Sequence, residues 1–401
     1  MEEFDVIIAG GGPAGLRTAI KAAEKKLKVL LLEKDQEIGS PVRCGEGLGI
    51  GWFKRLEIEP KPEFAVHPIF GAVLYSPLGK ELVVRFDKVS GYIIERRMFE
   101  KHLAREAASK GAKIIAKSTV LDVLKEGEQI TGVKALIDGK EKEFKSKIVV
   151  AADGVESTVA RKAGLNTTNN LYHVDSGYQY EMAGVDFKHP DLISLYFTTE
   201  FAPRGYVWIF PKGEIEGKKY ANIGVGILGS DTKTAKKYLD SWLETQPLLK
   251  NGSKIIVNAG CIPVGGFLDK MTLNGLIAVG DAAHQVNPIH GGGMGIAMEA
   301  ADIAVEVIFE AIQKNDLSDK FLSQYTEKWY KKRGNKLKNL LKKRKMLEEI
   351  SDKDFEVLVD SLSGEEVLKL AEGDMIESAK IVTKKLIKNP KLATLMLKYL
   401  K

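Results

Sequence analysis

The sequence predicts an α/β protein with an inserted antiparallel sheet and a helical C-terminal region. Three observations predict this class. A strand–glycine loop–helix–strand unit opens the chain, residues 170–260 have the composition of an antiparallel sheet, and a charged, helical composition begins near Asn315. At 401 residues the chain can bury a large core, and we expect two or three lobes.

The opening unit has the spacing of a dinucleotide-binding site. A buried strand at 4–9 is followed by Gly10, Gly12 and Gly15, then by a helix (16–26) and a second strand (28–32) that ends at Glu33. Gly10 permits a tight turn, Gly12 admits a pyrophosphate close to the backbone, and Gly15 lets the helix pack on the strand. The helix N-terminus offers free N–H groups to phosphates, and Glu33 can accept hydrogen bonds from ribose hydroxyls. We therefore predict a Rossmann-like nucleotide site.

A second glycine pattern tells which dinucleotide is bound. Gly224, Gly226 and Gly229 repeat the spacing, but the first two fall within a strand (221–228) rather than after it. We interpret this strand as one against which another group packs closely. One fingerprint in the chain favours a permanently bound FAD over a nicotinamide dinucleotide.

Two further segments are predicted to reach the cofactor. The loop 37–48 carries Arg43, Cys44 and Glu46, and the glycines on either side of Glu46 let its backbone approach a ligand. A strand at 275–279 delivers Asp281, and a glycine-rich loop then opens a helix at Gly293. This order resembles the second FAD-binding segment of glutathione-reductase-type flavoproteins, in which the aspartate holds the ribitol. The positive end of such a helix would stabilise a reduced flavin anion.

The remaining α/β elements are predicted around these segments. We expect antiparallel strands within 64–94, an amphipathic helix over 96–110, and strands at 113–117 and 147–152. Phe99, Leu103 and Ala107 share one face of the helix. The last strand runs into Ala152-Asp153-Gly154, with Ser157 and Arg161 beyond, which resembles the aspartate-glycine signature of flavoprotein hydroxylases.

An aromatic strand lies in the middle of the chain. Period-two alternation puts Tyr206, Trp208 and Phe210 on one face, and Pro203 and Pro211 bracket the strand. Such a stripe is more often core than substrate site, although the prolines are unusual in a strand. Both interpretations stay open here.

Composition limits the compartment and the partners. Cys44 and Cys261 are far apart, which indicates no disulfide framework, no metal site and a reducing, cytoplasmic compartment. We expect no signal peptide, and no apolar run approaches the ~20 residues of a transmembrane helix. Residues 331–345 hold nine basic residues and no acidic one. This run is either a solvated helix face or a contact to an anionic membrane surface; we expect no nucleic-acid partner.

These motifs together resemble the geranylgeranyl reductases. The resemblance rests on 10–33, the Gly39–Gly47 loop, Glu95-Arg96, Ala152-Asp153-Gly154, the 203–211 strand and Gly280-Asp281, and it covers about residues 1–330. It implies FAD-dependent saturation of the geranylgeranyl chains of archaeal ether phospholipids, such as digeranylgeranylglycerophospholipid, by a peripheral membrane enzyme. It implies a reduced electron donor: ferredoxin, NAD(P)H or another. By resemblance, the FAD contacts are Ala14, Glu33, Cys44, Gly45, Gly47, Arg96, Val120, Asp281, Gly293 and Met294.

The resemblance also implies a domain plan. We expect a discontinuous FAD-binding domain (1–60, 95–165 and 265–330), an antiparallel substrate domain (61–94 and 166–264) and a basic helical region (331–401). Tyr206, Trp208 and Phe210 would bind the isoprenoid chain.

The chemistry leaves the proton donor open. Hydride from the flavin must be matched by a proton on an unpolarised alkene. We expect Cys44 to lie beside the flavin chiefly as a positioning residue, with water, Tyr206 or His290 as the proton source. Two alternatives remain: an FAD-dependent monooxygenase of the aromatic hydroxylase type, and a non-catalytic flavin-loaded protein that docks on a membrane or partner.

Overall fold

The structure is a computed structural model that describes residues 2–366. Residues 367–401, within the predicted basic helical region, lie outside the described residues. The strands are β1 (Glu2–Ala9), β2 (Val29–Leu32), β3 (Gly47–Gly49), β4 (Ala65–Ile69), β5 (Gly71–Tyr75), β6 (Glu81–Arg85), β7 (Gly91–Ile94), β8 (Lys113–Ile115), β9 (Ser118–Glu126), β10 (Gln129–Ile137), β11 (Lys140–Ala151), β12 (Asp175–Val185), β13 (Ile193–Tyr196), β14 (Tyr206–Ile215), β15 (Lys218–Leu228), β16 (Ser253–Ile262), β17 (Thr272–Leu273) and β18 (Leu276–Ala278).

The helices alternate with these strands in the first part of the chain and dominate its last part. They are α1 (Pro13–Glu24), α2 (Ile50–Arg55), α3 (Arg96–Ser109), α4 (Thr158–Ala163), α5 (Ala235–Glu244), α6 (Met294–Lys314), α7 (Asp319–Leu322), α8 (Gln324–Trp329), α9 (Asn335–Glu349) and α10 (Asp352–Ser361). One turn of π-helix, Tyr330–Gly334, joins α8 to α9. Among the described residues, no helix is both long enough and apolar enough to cross a membrane.

The chain divides into two compact units. The first contains residues 1–42, 96–170 and 266–335, and the second contains 43–95, 171–265 and the described residues from 336 onward. Residues 43–60, which the sequence analysis assigned to the FAD-binding domain, therefore group with the second unit. The predicted α/β class, with a separate antiparallel sheet and C-terminal helices, is confirmed.

The first unit is built on a parallel sheet of order β18-β11-β1-β2-β8, in which β17 extends one edge and the β9–β10 hairpin is joined to β11. Ile7 and Ile8 of β1 pair with Val149 of β11 and Leu31 of β2, and all four side chains are fully buried. Continuous apolar runs such as these suit strands whose two faces are both covered by helices. The alternation of helix and strand in the sequence is thus realised as a Rossmann-like sheet.

The second unit contains a seven-stranded sheet of order β16-β12-β15-β14-β13-β5-β6 and a small sheet of order β3-β7-β4. Its pairs are antiparallel except β5 with β13, which run parallel and come from distant parts of the chain. Helix α5 packs on β12 and β15, where Trp242 and Leu239 share a buried core with Val207 and Ile209 of β14. The core thus lies on the α5 side of this sheet.

Candidate active site

The three glycines of the opening loop have different roles in the structure. Gly10 has a φ of +107°, and a Cβ built on it would clash with the carbonyl oxygen of Ala152. A Cβ on Gly15 would clash with the carbonyl oxygen of Gly10, so this glycine allows α1 to pack on the loop. A Cβ on Gly12 meets nothing within 4 Å. Gly12, the N-cap of α1, therefore borders open space at a helix N-terminus, where a pyrophosphate fits.

Glu33 is fixed at the carboxyl end of β2. One carboxylate oxygen accepts a hydrogen bond from the backbone N–H of Gly11 (2.5 Å), and the other accepts from the N–H of Asp35 (2.8 Å). The glycine loop and the acid are therefore joined directly, as a ribose site beside the pyrophosphate requires. A Cβ on Gly11 would lie 3.1 Å from Glu33 Oε2, so the middle glycine of the run makes room for this contact.

Asp281 and the start of α6 form the second half of the nucleotide site. Asp281 follows β18, and its Oδ1 lies 3.2 Å from the Cβ position of Gly293, the N-cap of α6. Burial raises the pKa of Asp281, and the charge of Arg96 acts in the opposite direction. Arg96 itself donates to Glu100 (2.5 Å). The fold thus collects Arg96, Asp281 and Gly293, which lie far apart in the sequence.

The other predicted cofactor residues of this unit lie in α1, α6 and β9. Ala14 lies in the first turn of α1, with its Cβ 3.0 Å from the Cβ position of Gly280, and Met294 is the first residue of α6. Val120 lies in β9 opposite Ala135. The open space at Gly12, the fixed Glu33 carboxylate and Asp281 near the start of α6 would fit a bound FAD.

The aspartate-glycine segment (152–154) and the residues after it contact the turn that carries Asp281. Asp153 Oδ2 accepts from the N–H of Val159 (2.7 Å), and burial raises the pKa of Asp153. Ser157, at a φ of +46°, donates from its hydroxyl to the carbonyl of Ala282 (3.3 Å). The segment therefore ties β11 to the 280–283 turn that carries Asp281.

In the second unit, the loop around Cys44 is held by side chains from the sheet. The carbonyl of Cys44 accepts a hydrogen bond from Gln179 Nε2 (3.1 Å), and the carbonyl of Gly45 accepts from Asn222 Nδ2 (3.3 Å). The Cys44 sulfur accepts the backbone N–H of Glu46 (3.1 Å). Side chains of the sheet thus anchor the loop through the carbonyls of Cys44 and Gly45.

The aromatic stripe belongs to the face of the sheet that carries this loop. Val207 and Ile209 point into the α5 core, so Tyr206, Trp208 and Phe210 point to the opposite side of β14. Phe210 lies against Gly45, with its ring 2.9 Å from the Cβ position of that glycine. The stripe is therefore not part of the α5 core.

The glycines of the second pattern make room for Trp208. A Cβ on Gly224 would lie 2.5 Å from Trp208 Cε2, whereas one on Gly226 would be 3.7 Å from the indole. Trp208 Nε1 donates to Gln179 Oε1 (2.8 Å), and the same Gln179 holds the Cys44 carbonyl. The expectation of a strand against which another group packs closely is confirmed, and that group is an indole.

The two candidate proton donors have different surroundings. Burial and the Asp175 carboxylate raise the pKa of the Tyr206 phenol, which keeps its proton at neutral pH. His290 is an exposed residue of the first unit, and its Nδ1 accepts the N–H of Gly292 (3.1 Å).

The second unit contains a buried charged cluster that the sequence did not predict. Lys212 is 1% exposed, and its ammonium group contacts three carboxylates, those of Glu46 (3.0 Å), Glu95 (2.5 Å) and Glu181 (2.7 Å). Asn222 Nδ2 donates to the same Glu46 oxygen (2.7 Å). The sequence offers one signal, a lysine directly after the apolar run 206–211.

The basic run at 331–345 is not a uniform solvated face. Arg344 is buried and makes a two-pronged contact with Asp175, at 2.7 and 3.1 Å. Arg333 likewise pairs with Glu299 (2.7 Å). Two of the basic residues therefore stabilise the fold, because helix periodicity turns them inward.

Comparison with known proteins agrees with this geometry. A model described as an FAD binding domain matches residues 3–214, and one described as the geranylgeranyl reductase catalytic domain matches residues 173–262. A digeranylgeranylglycerophospholipid reductase of Methanocaldococcus jannaschii is 39% identical over 99% of this chain and 97% of its own. A second such reductase, from Methanothermobacter thermautotrophicus, is 39% identical over 94% of this chain and 96% of its own.

Solved structures give the same result. A geranylgeranyl bacteriochlorophyll reductase-like protein from Thermoplasma acidophilum superposes with a TM-score of 0.90 at 34% identity over 100% of both chains. The flavin-dependent brominase Bmp2, in a triple mutant, shares the fold with a TM-score of 0.75 at 20% identity, over 96% of this chain and 100% of its own. The predicted family and the predicted cofactor are confirmed. The chain belongs to the geranylgeranyl reductase family of FAD-dependent oxidoreductases.

Proposed function

We propose that this enzyme saturates the geranylgeranyl chains of digeranylgeranylglycerophospholipid in archaeal membrane-lipid synthesis. The observation that carries the substrate assignment is the aromatic face of β14. It lies away from the α5 core and beside the Cys44 loop, within the segment matched by the geranylgeranyl reductase catalytic domain. Three aromatic rings on one face suit an apolar polyisoprenoid chain.

Each reduction adds a hydride and a proton across one carbon–carbon double bond. Bound FAD in its reduced form supplies the hydride, and the protein must hold the alkene, exclude water and provide the proton. Protonation of the less substituted carbon places positive charge on the tertiary carbon. Aromatic rings such as those of Trp208 and Phe210 stabilise a nearby cation.

Within this scheme we assign roles to the second unit's residues. Tyr206, Trp208 and Phe210 bind the isoprenoid chain, and Cys44 positions the loop at the flavin. Tyr206, whose phenol keeps its proton at neutral pH, is the candidate acid on this face. Gly12, Glu33 and Asp281 hold the dinucleotide and the ribitol.

The assay for this proposal separates it from the monooxygenase alternative. Holoenzyme supplied with a reduced donor (ferredoxin or NAD(P)H) and the unsaturated phospholipid should give products heavier by two hydrogens per double bond, without oxygen. A monooxygenase would require oxygen and would give hydroxylated product or peroxide. A purely binding protein would return the lipid unchanged with every donor.

We also propose that the enzyme works at the cytoplasmic membrane surface. Helix α9 carries Lys336, Lys338, Lys342 and Lys345 on exposed positions. Anionic headgroups attract such a cluster by about 1 kcal/mol per basic residue. The two inward-facing arginines do not take part in this contact.

A further inference from the structure

The Lys212 cluster lies directly beneath the loop that carries Cys44. Lys212 is 1% exposed, Glu46 is 2% exposed and Asn222 is fully buried. Burial of an ammonium group and carboxylates costs several kcal/mol per ion unless they are closely paired. Such a buried group is stable only where the ions are closely paired. Here every carboxylate lies within 3.0 Å of the lysine nitrogen.

The cluster carries more carboxylates than cations. Burial raises the pKa of Glu95, and the charges of Glu46 and Glu181 act in the same direction, although Lys212 opposes them. For Lys212, burial favours the neutral amine, but the surrounding carboxylates outweigh it and raise the pKa of the lysine. Lys212 thus stays charged and acts as the common anchor of the three acids.

Glu46 connects the Lys212 cluster to the Cys44 thiol. Its backbone has a φ of +72°, in the left-handed region that non-glycine residues rarely adopt. Lys212 and Asn222 hold its carboxylate, and its own N–H donates to the Cys44 sulfur. A glycine at this position would adopt the same φ more easily but would have no carboxylate to bind the lysine.

We infer that Lys212 and Glu46 are positioning residues that fix the Cys44 sulfur through the Glu46 N–H. The inference rests on the proposed function for its importance in catalysis, but the geometry at the sulfur can be measured without any lipid. Arg43 and Glu46 flank the thiol along the loop, while Lys212, Glu95 and Glu181 lie in the cluster. The charge of each of these residues can affect the ionisation of the Cys44 thiol.

Alkylation of the FAD holoenzyme by iodoacetamide tests the inference. The rate at each cysteine is followed against pH by peptide mass spectrometry. Cys261, which is exposed on β16, serves as an internal control. A hydrogen bond to a charged acceptor contributes roughly 1.5–3 kcal/mol, so losing the N–H contact should raise the pH midpoint of Cys44 alkylation by about one to two units.

Glu46→Ala distinguishes positioning from simple charge. Removal of a negative charge alone would lower the midpoint for Cys44, because the thiolate would be less repelled. Loss of positioning should raise it, with the Cys261 profile unchanged. Lys212→Arg, which keeps the cation, should restore most of the wild-type midpoint relative to Lys212→Met. Lys218→Met, an exposed lysine of the neighbouring strand, is the matched control and should leave both profiles unchanged.

The outcomes separate this inference from the proposed function. A Cys44 midpoint in Glu46→Ala that stays the same or falls, with folding and FAD content intact, overturns the positioning role. Should Lys212→Met not fold, Glu46→Ala still decides, because it leaves Lys212 paired with Glu95 and Glu181. A wild-type protein that reduces no lipid refutes the proposed function but leaves the thiol titration valid.

Discussion

At the scale of single residues, Gly12 has the clearest link between geometry and function. It borders open space, and its φ of −78° is available to any amino acid. Its neighbours Gly10 and Gly15 are different, because a side chain at either would clash with backbone. The fold therefore requires Gly10 and Gly15, whereas the ligand requires Gly12.

Replacement of Gly12 should separate cofactor binding from folding. We expect Gly12→Val to fold normally and to purify without flavin, because its side chain fills the pyrophosphate space. Visible absorbance gives the flavin content, and thermal unfolding reports the fold. Gly51→Val is the matched control, since Gly51 also borders open space in α2. A yellow Gly12→Val protein with full flavin content would contradict the assigned phosphate site.

At the scale of elements, the pair of strands β14 and β15 links the aromatic face to the Cys44 loop. Trp208 lies on the glycines of β15 and contacts Gln179, which in turn holds the Cys44 carbonyl. The indole is therefore fixed by β15 and by Gln179, and Phe210 lies directly against the loop glycines. A change beneath Trp208 should reach the thiol loop through Gln179.

Gly224 and Gly226 offer a matched test of this arrangement. Gly224→Ala should displace the indole and cost about 1–3 kcal/mol of stability, as overpacking in a core does. Gly226→Ala should cost little, because its Cβ would make an ordinary contact at 3.7 Å. Urea unfolding measures both variants, and lipid reduction should fall in Gly224→Ala alone. Equal stability of the two variants would mean that Trp208 does not pack as described.

The parts of this site that are contiguous in the chain were predicted from the sequence. The contacts between residues far apart in the chain were not. The glycine loop, Glu33 and the alternation of Tyr206, Trp208 and Phe210 are contiguous patterns, so their spacing predicts them. The partners of Lys212 lie at positions 46, 95 and 181, and only the folded sheet brings them together. The choice between core and substrate face for the aromatic stripe likewise depended on where α5 packs.

At the scale of the whole molecule, the basic residues behind the net charge of +6 divide into two groups. Some form buried ion pairs, and others lie exposed on the surface. Arg344 pairs with buried Asp175 and with Glu348, while Lys336, Lys338, Lys342 and Lys345 of the same helix are exposed. The same helix thus stabilises the second unit and presents a basic surface. These two roles can be removed separately.

Substitutions in α9 should show this separation. Arg344→Met leaves the Asp175 charge buried and unpaired, so we expect a loss of about 3–5 kcal/mol in stability. Replacement of Lys336, Lys338, Lys342 and Lys345 by Gln should leave stability almost unchanged and weaken binding to anionic liposomes in a salt-dependent manner. Chemical unfolding and liposome sedimentation measure the two effects. Undiminished liposome binding by the lysine variant would contradict the membrane-surface role.

The most direct test of the proposed reaction is an anaerobic single turnover. Holoenzyme reduced with dithionite and freed of excess reductant is mixed with digeranylgeranylglycerophospholipid, and flavin absorbance and lipid mass are followed together. We predict that oxidised flavin returns only when the lipid is added, and that each flavin oxidised saturates one double bond. Flavin that stays reduced in the presence of the lipid, or that reoxidises without any gain of hydrogen by the lipid, would contradict this account.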